Sequence, residues 1–97
     1  TPFIPNKYKS VWAQYSILLD DSKLRMRVIK RLRENGIPSV IYYQKPLHLQ
    51  KTFNHLNYKA GDFPVSEDIS SRILSLPMHP YLKKIDTDKI CNIINQC

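Results

Sequence analysis

Apolar and polar positions change period several times along the chain, and each change marks an element. In "SVWAQYSILL", Ser10 to Leu19, they alternate. Val11, Ala13, Tyr15 and Ile17 share one face; Trp12, Gln14, Ser16 and Leu18 share the other. A period of two in a run rich in β-branched and aromatic residues predicts a strand. The following "DDSKLRMRVIKRLRENGIP" has a helical period: Leu24, Val28 and Leu32 recur one turn apart with Ile29 beside them, a single apolar stripe. Asp21 or Ser22 can accept hydrogen bonds from the first free amides of that helix. Gly36 can take the left-handed conformation that ends it, and Pro38 forbids continuation. "SVIYY", Ser39 to Tyr43, predicts a second strand, which Pro46 breaks.

Beyond Pro46, "LHLQKTFNHL" predicts a short helix and "NYKAGD" a loop around Gly61. "PVSEDISSRIL", Pro64 to Leu74, predicts another helix with Val65, Ile69 and Ile73 as its buried stripe. Glu67 and Asp68 in its first turn and Arg72 near its end suit the helix dipole. "SLPMHP", Ser75 to Pro80, is a short extended piece closed by prolines. The last helix is expected to start at Asp86 as N-cap, with Ile85 and Ile90 placed as a hydrophobic staple. Ile90, Ile93 and Ile94 then face inward. The order strand, helix, strand, small helix, helix, short strand, helix describes an α+β sandwich with a small sheet of about three strands packed with helices.

Composition narrows the class. A length of 97 residues suits one domain with a small core, and 42% hydrophobic content argues against disorder. No apolar run reaches the roughly 18 residues of a membrane span. The start, "TPFIPNKYKS", has neither a signal-peptide core nor an initiator methionine. Thr1 is therefore read as a cut point, of a chain that is either processed or a piece of something longer, and residues 1–9 as an extended lead-in. Cys91 and Cys97 point in different directions on a helix, so reduced thiols and a cytoplasmic location are expected. The net charge is +7, and six of the 15 Lys and Arg residues lie between Lys23 and Arg33. Arg25, Arg27, Lys30, Arg31 and Arg33 could grip phosphates. A solvated outer face explains them as well, and the RRM, KH and zinc-finger signatures are absent. Nucleic acid is disfavoured.

Other chemistries find little footing. His48, His55 and His79 lack the spacing of a zinc site. No serine or cysteine stands in an activated setting, and Gly36 and Gly61, the two glycines, cannot build a phosphate loop. What remains is "YYQKPLHLQ", Tyr42 to Gln50. Two tyrosines at the end of a strand can stack on a ring or donate hydroxyls. His48 and Gln50 add polar atoms, Lys45 and Lys51 favour an anion, and "LPMHP" brings His79. The residues alone leave a pocket wall and a set of structural tyrosines equally open.

Taken together, "SVWAQYSI", "ENGIPSVIYYQKPLHLQKTF" and "FPVSEDISSRILSLPMHP" resemble the C-terminal portion of the DegT/StrS family of sugar aminotransferases, in the family's order and spacing. The resemblance runs from about Ser10 to the end. It implies the small domain, residues 10–97, of a fold-type-I enzyme dependent on pyridoxal phosphate, with residues 1–9 as the lead-in from a missing large domain. Such enzymes move an amino group from L-glutamate to a nucleotide-linked keto-sugar, here one resembling the UDP-linked sugars of bacterial surface polysaccharides. It also implies a homodimer and a cofactor lysine located upstream of Thr1, so that this chain alone binds no cofactor and is inactive. Tyr43 matches the family's tyrosine, while Tyr42 stands where histidine is usual and Gln44 where proline is common. Pro46, Leu47, His48, Gln50 and the segment Leu76 to Pro80 keep the pattern. The implied substrate-binding residues are Tyr42, Tyr43 and His48, with His79 shaping the cleft behind them. The alternative is a stand-alone basic α+β module that binds RNA or protein.

Overall fold

The apolar stripe between Asp21 and Gly36 becomes helix α1, Ser22–Glu34, in a computed structural model that describes residues 2–97. Thr1, the residue read as a cut point, lies outside the described residues. Asp21 is the N-cap: its backbone is extended and its Oδ1 accepts from the Leu24 amide at 2.6 Å. The C-terminus closes in two crossed bonds. Gly36 N donates to Arg33 O at 3.0 Å, and Ile37 N reaches back to Leu32 O at 2.9 Å. Gly36 sits at φ +72°, where only glycine is unstrained, and Ile37 folds back onto the apolar face.

The sheet is smaller than the alternation suggests. Strand β1 spans only Tyr15–Leu18, and it pairs antiparallel with β2, Ile73–Leu76, in the register Tyr15↔Leu76. Upstream of β1, Trp12 turns to φ +50° and its amide bonds to Ser10 Oγ at 3.1 Å. This local hydrogen bond competes with a ladder and shortens the expected strand. The second expected strand, Ser39–Tyr43, reduces to one bridge: Val40 and Ser75 exchange backbone hydrogen bonds of 2.8 and 3.0 Å. Tyr43 then enters the left-handed region at φ +61°, which ends pairing. Two strands therefore replace the expected three.

Helix α2 runs Pro64–Arg72 and stops before Ile73 and Leu74, which the helical period had claimed. Tertiary packing decides the point. As strand residues, Leu74 becomes fully buried and Ser75 bonds both neighbours, its hydroxyl 2.7 Å from that of Ser16. The expected buried stripe of α2 fails in consequence: Val65 is exposed and Ile69 only half-buried. Helix α3, Lys84–Asn95, starts earlier than Asp86. Lys83 is the N-cap position, and Asp86 accepts from the Lys83 amide at 3.2 Å from inside the first turn. Ile85 is exposed, so no staple forms with the buried Ile90.

The core is Leu19, Val28, Leu32, Leu74 and Ile90, flanked by Leu24, Ile29, Ile93 and Ile94 as the two periods require. α1 and α3 meet over this cluster, and the β1–β2 ribbon closes it. Arg25 reaches across to α2, its Nη1 donating to Ser70 O at 2.7 Å. Arg72 Nη1 returns from α2 to Leu19 O at 3.1 Å. Together they hold α2 against the end of β1, which leaves the outer face of α2 free to wall a groove.

Candidate functional site

The segment Tyr42–Gln50 is folded by its own backbone. After the turn at Tyr42 and Tyr43, Pro46 is buried and caps a 3-10 turn, Leu47–Leu49. A second 3-10 turn, Lys51–Leu56, follows, so the expected short helix exists as two tight pieces. Gln50 Nε2 donates to Lys45 O at 3.0 Å and draws the two ends of the loop together. Pro46 thus presents Tyr42, Tyr43 and Leu47 outward and turns His48 inward.

Outward lies an open groove of about 700 Å³. Tyr42, Tyr43 and Leu47 form one wall; Phe63, Val65 and Ile69 form the other. Its surface is mainly apolar, with Asp62, Ser66 and Ser70 as the polar lining. This composition suits a flat ring held between aromatic and aliphatic walls, with a few hydroxyls to orient it. The exposed Val65, an anomaly as a core residue, is accounted for as part of that wall.

His48 does not line the groove. It is 9% exposed, its Nε2 lies 3.0 Å from Glu67 Oε1, and its ring meets Phe63 at 4.8 Å between centroids. Glu67 is the residue that the sequence reading assigned only to the helix dipole. Its carboxylate also accepts from the Gly61 amide, at 2.9 Å to Oε1 and 3.1 Å to Oε2, and from the Phe63 amide at 3.4 Å. The Gly61 amide, and after it the His48 imidazole and the Phe63 amide, hold the Glu67 carboxyl below its ordinary range against a partial opposing effect of burial. Tyr58 completes the cluster edge-on to Phe63 at 5.0 Å. A carboxylate in the first turn, six residues past a loop glycine, was the available hint of this role.

His79 lies elsewhere. It is exposed, 6.5 Å from the Tyr81 ring, on a cleft of about 370 Å³ shared with Leu82, Ile90 and Cys91 of the α3 side. The structure therefore brings Tyr42 and Tyr43 together, turns His48 to Glu67 and Phe63 and separates His79. Tyr42 does touch the neighbourhood of "LPMHP" through a small pocket of about 150 Å³ that it shares with Pro77 and Met78. The cations of α1 are partly engaged in the fold: Arg25 with Ser70, Arg31 Nη1 with Gln96 O at 3.2 Å, and Lys30 with Glu34 at 3.9 Å. This favours the solvated-face reading over a phosphate grip.

Residues 1–95 match the DegT/DnrJ/EryC1/StrS aminotransferase family. The chain belongs to that family. Among its relatives, a UDP-2-acetamido-2-deoxy-3-oxo-D-glucuronate aminotransferase of Pseudomonas aeruginosa is 35% identical over 94% of this chain and 24% of its own length. A UDP-N-acetyl-3-dehydro-alpha-D-glucosamine 3-aminotransferase of Acidithiobacillus ferrooxidans is 37% identical over 98% of the chain and 24% of the relative. A crystal structure of a family aminotransferase from Brucella abortus superposes with a TM-score of 0.78 at 50% identity, over 98% of this chain and 25% of that one. The chain thus spans about a quarter of the length of these aminotransferases. The family's cofactor, pyridoxal phosphate, does not fit the groove by itself. No lysine lines it to bond the aldehyde, and no arginine or lysine stands there for the phosphate.

Proposed function

We propose that this chain is the small domain, residues 10–97 with the lead-in 1–9, of a cytoplasmic bacterial aminotransferase. The enzyme carries an amino group from L-glutamate to a UDP-linked keto-sugar, uses pyridoxal phosphate held by a different domain, and works as a homodimer. Tyr42 and Tyr43 face the sugar nucleotide, His48 supports them from behind, and His79 shapes the adjoining cleft. The chain alone does not transaminate.

One observation carries this reading. The accessible surface is 7783 Å², whereas a self-contained protein of 11.4 kDa exposes about 5,800 Å². The excess, much of it apolar, is what a domain shows when its partner surface is taken away. The relatives, about four times as long, supply such a surface. The test is an absorbance spectrum of the longer polypeptide with pyridoxal phosphate, before and after L-glutamate. Conversion of the aldehyde band to the amine band, with no binding by the 97-residue chain, is the expected result. A folded longer polypeptide that takes up no cofactor would sink the reading.

A further inference from the structure

Two segments meet at the Glu67 carboxylate, the 3-10 turn of His48 from 19 positions away and the Gly61–Phe63 lead-in to α2, and they belong to opposite walls of the groove. His48 shares its 3-10 turn with Leu47, two positions after the N-cap Pro46, so it is joined through that turn to the Tyr42–Tyr43 wall. The other wall is α2 with its N-cap Phe63, whose carbonyl accepts from the Glu67 amide at 3.0 Å, and Gly61 lies in the loop that enters it. Within that loop, Lys59 N donates to Asp62 Oδ2 at 2.7 Å and Asp62 N to Lys59 O at 3.2 Å. Glu67 Oε1 spans the gap, 3.0 Å from His48 Nε2 and 2.9 Å from Gly61 N. The Phe63 ring lies against the imidazole on one side and Tyr58 on the other.

We propose that Glu67 and His48 are positioning residues for the sugar-nucleotide groove: they form a strut beneath it that fixes the distance between its Phe63 wall and its Tyr42–Tyr43 wall. The proposal rests on the reading of the groove as a substrate wall. A strut of this kind needs an acceptor with more than one free lone pair and a donor that cannot turn away. A carboxylate supplies the first, and an imidazole buried to nine-tenths supplies the second. Removing Glu67 leaves the buried His48 imidazole and the Gly61 and Phe63 amides without their acceptor; removing His48 leaves Glu67 bound only to its own side of the groove. The effect falls on a large ligand that spans both walls. A small amino donor, which needs no such span, is indifferent to it.

The experiment uses the longer polypeptide with Glu67→Ala, Glu67→Gln and His48→Gln. Hydrogen exchange of the Gly61 and Phe63 amides reads the strut directly, and steady-state kinetics with a UDP-linked keto-sugar reads its consequence. Glu67→Ala is expected to speed exchange at these amides and raise the sugar KM about tenfold, with the L-glutamate half-reaction unchanged. Glu67→Gln, which keeps one acceptor oxygen, is expected to recover part of both. An unchanged sugar KM in variants with freed amides overturns the proposal. So does loss of protection throughout the chain in both Glu67→Ala and His48→Gln, because the pair would then be holding the whole fold. If the wild type performs no half-reaction, the functional reading fails, while the exchange arm still decides whether the strut exists.

Discussion

Leu74 shows how much one side chain decides. The helical period assigns it to α2, yet it is fully exposed to the core and to no solvent, and Leu19, Leu32 and Ile90 surround it. Leu74→Ala is expected to lower unfolding stability by about 2–5 kcal/mol in a denaturant titration, since a buried leucine leaves a cavity that its neighbours only partly fill. At the same scale the sequence was legible wherever a residue's role is local. Asp21 as a cap, Gly36 as a helix stop and the stripe Leu24, Val28, Leu32 follow from near neighbours. The family resemblance put Tyr42, Tyr43 and His48 on one substrate-facing wall; in the fold the two tyrosines line the groove, while His48 turns to a partner 19 positions away, a pairing between a loop and a helix that nothing in the spacing announces.

Elements were legible in type and less so in extent. α1 and α3 appear where the apolar periods put them, apart from the earlier start of α3. The strands shrink because pairing is a property of two segments, and the alternation of one says nothing of the other. The first turn of α2 adds a titration to this account. Glu67 is held below its ordinary value of 4.5, chiefly by the Gly61 amide. A carboxyl with a lowered folded pKa contributes stability that is fully present above the unfolded value and is lost as pH falls through the folded one. Thermal midpoints of the wild type are therefore expected to fall as pH drops below about 4.5, and the advantage over Glu67→Gln to shrink in the same window. Asp68, lowered by its hydrogen bond to Arg72, leaves a residual slope in both proteins. A constant gap between the two at all pH values would refute the assignment.

The whole molecule is open. Its radius of gyration is 15.7 Å, against about 12.5 Å for a compact domain of this length, and its extents are 47 × 37 × 22 Å. Phe3 and Tyr8 on the lead-in, Val11 just beyond it, and Tyr43 and Val65 on the groove are all exposed. Apolar surface on this scale is sticky when nothing covers it. The 97-residue chain is expected to self-associate as its concentration rises, and the longer polypeptide to settle at a discrete assembly; sedimentation velocity distinguishes the two. A monomeric chain at all concentrations would count against the surface argument. None of this openness was visible in the composition, which is that of an ordinary globular protein.

The hydroxyls of Ser16 and Ser75 touch although 59 positions separate them. Such a pairing closes a long loop before any ladder bond can reward it, so α1 and the 3-10 turns form while the sheet still waits. During synthesis, β1 remains without its partner until β2 has left the ribosome, which at 5–20 residues per second takes on the order of several seconds. The ribbon is thus completed after α1 and the 3-10 turns, and α3, which brings Ile90 to the core, follows it. The apolar edge of β1 is the part a chaperone has most reason to guard.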